Sequence, residues 1–195
     1  AVIDAKENRE VAVVDIPNAF VTTMNEKLAD HHEVDLMKIR GKLVDILVQV
    51  DPKLYGPYVT HENGQKILYV EILRALYGMI KSPLLYYRHW RSKIESIGFE
   101  INPYDPCTTN LVEDGVQLTL VWHVDDVKCS SVSKKLVDEF IEWCKQEFED
   151  ITITKMKPSR GKVHDYLGMI LDYSTPGKVA ISMKDYIQKT LDEFK

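Results

Sequence analysis

Two apolar runs flank a pair of adjacent carboxylates in the segment Leu118-Thr119-Leu120-Val121-Trp122-His123-Val124-Asp125-Asp126-Val127-Lys128-Cys129-Ser130-Ser131. The apolar runs are typical of buried strands, and the polar residues between them predict a turn. Asp125 and Asp126 would repel each other strongly if both were buried without a cation. A bare acidic pair at the tip of a strand–turn–strand unit therefore predicts a site for a divalent metal ion.

A third carboxylate stands in a similar setting near the start of the chain. Asp15 follows the apolar run 11–14, which predicts a buried strand that ends at the acidic residue. Three carboxylates at strand ends indicate Mg²⁺-dependent phosphoryl chemistry, because Mg²⁺ prefers carboxylate oxygens and brings substrate phosphates into its own shell. Each position also has a simpler interpretation. Asp15 could be a helix N-cap before Pro17, and Asp125-Asp126 could be a plain turn.

The rest of the chain predicts alternating hairpins and helices. Asn63-Gly64 and Asp114-Gly115 are hairpin turn signals. Amphipathic helices are expected from Ser82 to about Ile97 and from Lys134 to about Phe148. Their expected inward residues are Leu84, Tyr87, Trp90, Ile94 and Ile97 in the first helix, and Leu136, Phe140, Ile141, Cys144 and Phe148 in the second. This order predicts an α+β fold with antiparallel strands and helices on one face.

Four further elements are predicted with weaker patterns. A short helix is expected from Pro17 to about Ala29, and a strand is expected over residues 42–50. A last hairpin is expected to run from Tyr166 to Tyr173, to turn at residues 175–177 and to return through residues 179–182. A terminal helix is expected from Met183 onward.

The composition is that of an ordinary globular domain, with 45% hydrophobic and 28% charged residues. No apolar stretch approaches the roughly 20 residues of a membrane-spanning helix, and charges follow the first residues at once, which argues against a secretory signal. Three cysteines without ligand spacing favour an intracellular, reducing setting. The net charge of −5 argues against nucleic-acid binding, although two local clusters are basic. They are Lys38, Arg40 and Lys42, and Lys155, Lys157, Arg160 and Lys162.

Four blocks of the sequence resemble, in order, the reverse transcriptase of copia-type LTR retrotransposons. They are Val14-Asp15-Ile16-Pro17-Asn18-Ala19-Phe20, Arg74-Ala75-Leu76-Tyr77-Gly78-Met79-Ile80-Lys81-Ser82-Pro83, His123-Val124-Asp125-Asp126 and Asp165-Tyr166-Leu167-Gly168. In that family the third block is Tyr-Val-Asp-Asp and the fourth is Phe-Leu-Gly. His123 replaces the usual tyrosine, and Ile80-Lys81 stands where the family has Lys-Gln. The likeness covers nearly the whole chain.

The resemblance implies an RNA-directed DNA polymerase that transfers nucleotides to a primer 3′-hydroxyl with two Mg²⁺ ions. Asp15 and Asp125 would bridge the ions, which lie about 3.5–4 Å apart in such sites, and Asp126 would support them. The carbonyl of Ile16 could add a ligand, and Mn²⁺ could substitute for Mg²⁺. The family lysine that protonates pyrophosphate has three equal candidates, which are Lys155, Lys157 and Lys162.

The resemblance also implies nucleotide and primer contacts. Phe20 falls at the position of the aromatic that packs under the nucleotide sugar and excludes a 2′-hydroxyl, with an ordinary core phenylalanine as the alternative. Tyr77 and Gly78 would lie beside the incoming base pair, where glycine permits close approach of the template. Tyr77 could equally be a core tyrosine. The segment Tyr166-Leu167-Gly168 would grip the primer.

The implied architecture is a polymerase palm, an antiparallel sheet with helices on one face, plus partial fingers of the right-hand polymerases. Residues 1–20 and 81–182 would be palm, about 21–80 partly fingers, and 183–195 the start of a thumb or connection. Residues 1–195 would form one domain fragment of a longer polyprotein.

The expected partners are an RNA or DNA template–primer, deoxynucleoside triphosphates, and the integrase and RNase H regions of the same polyprotein. A cytoplasmic location in a virus-like particle is expected, with no membrane partner. One alternative is a degenerate or domesticated, non-catalytic nucleic-acid-binding relic of the same fold. The other is a different Mg²⁺-dependent palm nucleotidyltransferase or a cyclase.

Overall fold

The computed structural model describes residues 1–25, 34–148 and 155–194. Its helices are α1 (Val2–Lys6), α2 (Ala19–Thr22), α3 (Lys42–Val50), α4 (Pro52–Tyr55), α5 (Ser82–Ser96), α6 (Lys134–Phe148) and α7 (Lys184–Glu193), with a 3₁₀ turn at Gly56–Tyr58. Its strands are β1 (Glu10–Asp15), β2 (Leu36–Arg40), β3 (Thr60–Glu62), β4 (Gln65–Glu71), β5 (Glu100–Ile101), β6 (Thr108–Glu113), β7 (Val116–His123), β8 (Asp126–Ser131), β9 (Ser159–Arg160), β10 (Val163–Tyr166), β11 (Met169–Asp172) and β12 (Ala180–Ser182).

The strands form three antiparallel sheets, so the expected α+β class with antiparallel strands is confirmed. The largest sheet has six strands in the order β5-β6-β7-β8-β1-β9. Two three-stranded sheets have the orders β10-β11-β12 and β2-β4-β3. Strand β1 lies between β8 and the edge strand β9, so the start of the chain is inserted into a sheet made mostly from its second half.

The main core lies between the six-stranded sheet and helices α5 and α6. Alternate residues of the central strands, such as Val14 and Val127, face this core and are completely buried. Trp90 of α5 packs edge-on against Trp122 of β7, with ring centroids 6.3 Å apart. This packing holds β7 and β8, and therefore the turn between them, against a rigid layer of helices.

The other face of the same sheet has its own, smaller core. Ala5 of α1, Val11 and Val13 of β1, and Tyr166 and Leu171 of the β10–β12 sheet are buried together there. The predicted placement of all helices on one face is therefore wrong for α1. That helix is only five residues long, and its sequence has no extended apolar periodicity that could have revealed it.

A buried ion pair joins α1 to β8 beneath this second core. The Lys128 ammonium lies 2.7 Å from the Asp4 carboxylate. The same carboxylate accepts hydrogen bonds from the Ser130 hydroxyl at 2.7 Å and the Tyr173 hydroxyl at 3.3 Å. Burial raises the pKa of Asp4, but the attraction and hydrogen bonding of Lys128 outweigh it and hold the pKa below its ordinary value.

The small sheet β2-β4-β3 and helix α3 form a separate cluster around Ile39, Val44 and Leu68. The predicted strand over residues 42–50 is wrong, because these residues form α3. Val44 faces the small sheet, whereas Ile46 and Val50 are exposed, so the spacing follows a helix and not a strand.

Several predicted elements are confirmed and others shift. Both hairpins with Gly turns form, and α5, α6 and α7 occur near their expected bounds. The expected helix from Pro17 is limited to α2 within the described residues, and its predicted end falls in 26–33, outside them. The expected inward residues of α6 are all buried. In α5, however, Leu84 is exposed, as is Ile97 just after its end, and Leu85 and Tyr86 are buried instead.

The last hairpin also differs from its prediction. The segment from Tyr166 to Tyr173 contains a reversal of its own at Leu167-Gly168, so that β10 and β11 pair with each other before β12 returns. None of the helices in the described parts of the chain has the length and apolar character that crossing a membrane requires.

Candidate carboxylate site

The pairing of β1 with β8 brings the predicted carboxylates together. Asp15 lies directly opposite Asp126, and the Ile16 amide donates a hydrogen bond to the Asp125 carbonyl at 2.9 Å. Directly opposed residues of an antiparallel pair have Cα atoms about 4.5–5.5 Å apart. Two acidic residues separated by more than a hundred positions in sequence are therefore immediate neighbours, with the third one residue away.

A tight turn fixes the position of Asp125. His123 pairs with Asp126, so only Val124 and Asp125 connect β7 to β8. Val124 has a φ of +55°, a left-handed conformation that a β-branched residue adopts at a cost of about 1–3 kcal/mol. Strained residues of this kind are concentrated at functional sites, and this one sets the direction of the adjacent acidic residue.

The electrostatics of the site show an accumulation of negative charge. Burial raises the pKa of Asp15, and the nearby Asp125 raises it further. Burial also raises the pKa of Asp126, to which the charges of Asp125, Asp15 and Asp165 add, while His123 opposes them. Each ionised carboxylate therefore makes ionisation of its neighbours more costly, and a cation placed among them would relieve that cost.

The donor set suits Mg²⁺ in kind, because carboxylate oxygens are its preferred protein ligands. However, within residues 1–25, 34–148 and 155–194 no three His, Cys, Asp or Glu side chains are grouped closely enough to hold a metal ion. The backbone places the three aspartates side by side, but their carboxylates do not form such a group. Metal binding by Asp15, Asp125, Asp126 and the Ile16 carbonyl stays a prediction.

An aromatic pair lies beside the carboxylates. Phe20 is buried, with 8% of its surface exposed, and its ring centroid lies 4.6 Å from that of Tyr77. Tyr77 is 61% exposed, and burial of its remainder together with the charges of Asp125 and Asp15 raises its pKa. Tyr77 is thus a surface residue, not a core tyrosine, and it presents an aromatic face at the site with Phe20 packed behind it. A sugar contact of Phe20 stays a prediction.

Gly78 follows Tyr77 with a φ of +92°, a conformation that strongly favours glycine. A Cβ atom built on Gly78 would meet nothing within 4 Å, so its backbone borders open space. This openness is compatible with the close approach of a large ligand, and the predicted contact with a template stays untested.

The segment predicted to grip a primer packs directly against β7. The buried Tyr166 hydroxyl donates a hydrogen bond to the Val121 carbonyl at 3.1 Å. Burial first, and then the charge of Asp126, raise the pKa of Tyr166 to about 12. Leu167 and Gly168 form the turn with φ angles of +54° and +74°. A Cβ on Gly168 would lie 3.1 Å from the Tyr186 ring, so a larger residue would disturb the contact with α7.

Two residues near the carboxylates were not predicted as part of the site. Asp165, at the end of β10, adds a fourth negative charge to the environment of Asp126. The sequence could have indicated Asp165, because it precedes Tyr166 in a strand whose alternate residues face solvent. Tyr86 of α5 lies in the core behind Phe20, where the prediction placed Tyr87 instead. Four consecutive apolar residues, 84–87, leave the helical phase ambiguous.

Comparison with known proteins shows a similarity to a transposon protein. No family model matches the chain. The telomerase of Candida tropicalis in its apo form has a TM-score of 0.45 and 11% identity, covering 88% of this chain and 32% of that one, which is too weak to assign a fold. The putative transposon Ty5-1 protein YCL074W of Saccharomyces cerevisiae is 30% identical over 128 residues, which are 63% of this chain and 38% of the yeast protein. The chain thus spans well under half the length of that relative, and it is similar to a transposon protein.

Proposed function

We propose that this chain is the palm, with part of the fingers, of an RNA-directed DNA polymerase from a copia-type retrotransposon polyprotein. The observation that carries the proposal is the register of β1 and β8, which sets Asp15 opposite Asp126 and next to Asp125. The similarity to a transposon protein supports the same origin. The β2-β4-β3 sheet and its own apolar cluster, around residues 36–71, would be the partial fingers.

Asp15, Asp125 and Asp126 would hold the metal ions, with Asp15 and Asp125 as the principal ligands and Asp126 as support. When bound, two Mg²⁺ ions supply charge neutralisation and alignment for in-line transfer of a nucleotidyl group to a primer 3′-hydroxyl. The chain's own contribution is positional. The strained turn at Val124 directs Asp125, and the hydrogen-bonded ladder fixes the separation of Asp15 and Asp126.

The surrounding residues would bind the nucleic acid and the nucleotide. The exposed Tyr77 ring and the open backbone at Gly78 border the carboxylates on one side. The Tyr166–Gly168 turn is fixed by the hydrogen bond from the Tyr166 hydroxyl to β7 and would support the primer. Contacts of this kind position a duplex, and base pairing with the template would select the nucleotide.

Primer extension tests the proposal. The chain is incubated with a primer–template, labelled deoxynucleotides and either Mg²⁺ or Mn²⁺, and compared with Asp126→Asn. Asp114→Asn is the matched control, because Asp114 occupies a hairpin turn at the far end of β7 with a φ of +51°, which asparagine tolerates well. The proposal predicts ion-dependent extension that Asp126→Asn abolishes and Asp114→Asn retains.

The non-catalytic relic is the second candidate, and two observations favour it. They are the net charge of −5 and, within the described residues, the lack of three side chains already gathered around a metal position. A chain that binds primer–template without extending it, and that binds no Mn²⁺ through its aspartates, would establish the relic. Mn²⁺ binding that disappears in Asp126→Asn would favour the polymerase.

A further inference from the structure

An apolar groove lies on the helix-covered side of the six-stranded sheet. Its wall is formed by α6, by the β6–β7 hairpin and by the residues that follow α5, and it encloses about 180 Å³. Its lining includes Ile97, Leu118 and Trp143, and we call it the α6–β6 groove. Leu118 precedes His123 by five residues on β7, which is about 17 Å along a strand, so the groove lies well away from the acidic turn.

The groove has a fixed aromatic floor and an accessible rim. Phe99 and Phe140 are buried, and their rings meet edge-on with centroids 5.9 Å apart. The half-buried Trp143 stacks on Phe140 at 5.8 Å, and Ile97 is 36% exposed. Because the rings hold one another in place, the concavity exists before anything binds, and a ligand would not have to order it.

The size of the groove limits what can enter it. Pockets for small-molecule ligands and cofactors usually measure about 300–1,000 Å³, which is more than this groove offers. A dry cavity of about 150 Å³ lined by leucine, isoleucine and phenylalanine holds a molecule of the size of benzene. The α6–β6 groove therefore has room for one large apolar side chain. Side chains that fill such pockets contribute most of the binding energy at protein interfaces.

The charge at the rim selects the neighbours of that side chain. Glu113 at the end of β6 and Glu139 of α6 are both exposed and belong to the wall of the groove. Among the described residues that line it there is no lysine or arginine. Glu139 lies 3.5 Å from the exposed Lys135, and a surface pair of this kind contributes little. A negative rim of this composition is complementary to a cationic partner.

We propose that the α6–β6 groove docks a segment of a partner protein that inserts one large apolar side chain and places lysine or arginine beside Glu113 and Glu139. Such a segment matches the lining in size and in charge. A second copy of this chain fits less well, because its net charge of −5 would add to the negative charge of the rim. The distance from the acidic turn makes this docking site independent of nucleotidyl transfer.

The test uses a random library of short peptides displayed on phage and selected on the whole chain. Peptides that are recovered are synthesised, and their dissociation constants are measured by fluorescence anisotropy at low and at high salt. Ile97→Arg is the first variant, because an arginine at the rim closes the groove and repels a cation. Ile97 follows the end of α5 and is partly exposed, so the fold tolerates the change. Glu113→Gln, the second variant, removes one carboxylate.

Val112→Arg is the matched control for both variants. Each of the three substitutions raises the net charge by one unit. Val112 lies between the groove residues Leu111 and Glu113 on β6, so its side chain points to the opposite face of the sheet, where it is 65% exposed. An effect of charge alone would therefore appear in the control as well.

The recovered peptides should share one large apolar residue with a lysine or arginine close to it. Ile97→Arg should weaken their binding by at least about 30-fold, as the loss of a central anchor does. Glu113→Gln should weaken it by about fivefold and reduce its dependence on salt, because rim charges act through long-range attraction. Val112→Arg should bind the peptides as the wild type does.

The proposal is overturned if the selection recovers no peptide whose binding depends on Ile97. It is also overturned if the peptides that depend on Ile97 carry no cationic residue, or if Glu113→Gln binds them as the wild type does. A wild-type dimer that Ile97→Arg dissociates, measured by sedimentation velocity, would overturn it too, because a second copy would then occupy the groove. Primer extension is unaffected by each of these outcomes, so the proposed function is tested separately.

Discussion

Neutralising Asp126 should stabilise the ion-free protein. Asp126 lies opposite Asp15 and beside Asp125, and the pKa values of Asp15 and Asp126 are both raised, first by burial and then by neighbouring charge. A carboxyl group with a raised pKa in the folded state binds its proton more tightly there than in the unfolded chain. The ionised site therefore destabilises the fold at neutral pH, and Asp126→Asn removes one of its charges.

The size of the effect follows from the register. Two unit charges about 5 Å apart repel by about 0.8 kcal/mol at the dielectric constant of water and by about 3 kcal/mol at an effective value of 20. Asp15 is exposed and Asp126 is half-buried, so the repulsion lies nearer the aqueous limit. We expect Asp126→Asn to raise the free energy of unfolding by about 1 kcal/mol, which is a rise of about 2–4 °C in Tm for a domain of this size.

The assay is urea unfolding at pH 7 in the presence of a chelator, with Asp114→Asn as the control. The stability of the wild type should decrease as the pH rises from about 4 through the raised pKa values, because the site loses its protons there. The advantage of Asp126→Asn should therefore be present at pH 7 and disappear below about pH 4. Added Mn²⁺ should stabilise the wild type and not the variant. A variant less stable than the wild type at pH 7, with Asp114→Asn unchanged, would refute the reasoning.

Four further substitutions probe the turn, the aromatic pair and the buried ion pair. Val124→Gly should raise the unfolding free energy by about 1 kcal/mol in urea titrations, because glycine adopts a positive φ without strain. Phe20→Ala should incorporate ribonucleotides in primer extension. If Tyr77→Ala incorporates them and Phe20→Ala does not, the sugar contact belongs to Tyr77 instead. Lys128→Met should cost up to about 3–5 kcal/mol, because it removes the buried cation of Asp4 and leaves only the N-terminal ammonium at 3.3 Å. The pKa of Asp4 is lowered in the folded protein. The stabilisation that ionised Asp4 gives the wild type should therefore be complete above the ordinary carboxyl pKa and be lost as the pH falls through the lowered value. Acid unfolding of Lys128→Met, compared with that of the wild type, measures this loss.

The local elements of the fold were predictable because their signals are local. Asn63-Gly64 and Asp114-Gly115 adopt the positive φ angles that their turns need, and both hairpins form. Helix α3 was wrongly predicted as a strand, since its β-branched residues favour extended structure and only packing on the small sheet reveals its helical face. The turn at Leu167 was missed because leucine is not a residue that indicates a positive φ.

The turn that carries the acidic pair was predictable, but its arrangement with Asp15 was not. The acidic pair at 125–126 stands at a strand–turn–strand tip, as the apolar runs indicated. The pairing of Asp15 with Asp126 depends on a register between distant strands, which a sequence alone does not specify. The environment of Tyr86 was beyond prediction for the same reason, since its contacts come from Phe20 and the charge of Asp125, both distant in the chain.

The most direct test of the proposed metal site is to locate Mn²⁺ in crystals of the chain by anomalous scattering. The expected result is Mn²⁺ bound by carboxylate oxygens of Asp15 and Asp125, with Asp126 beside it, and its loss from crystals of Asp126→Asn. Ordered Mn²⁺ elsewhere on the molecule, with none at these carboxylates, would contradict a two-metal nucleotidyl transfer site in this chain.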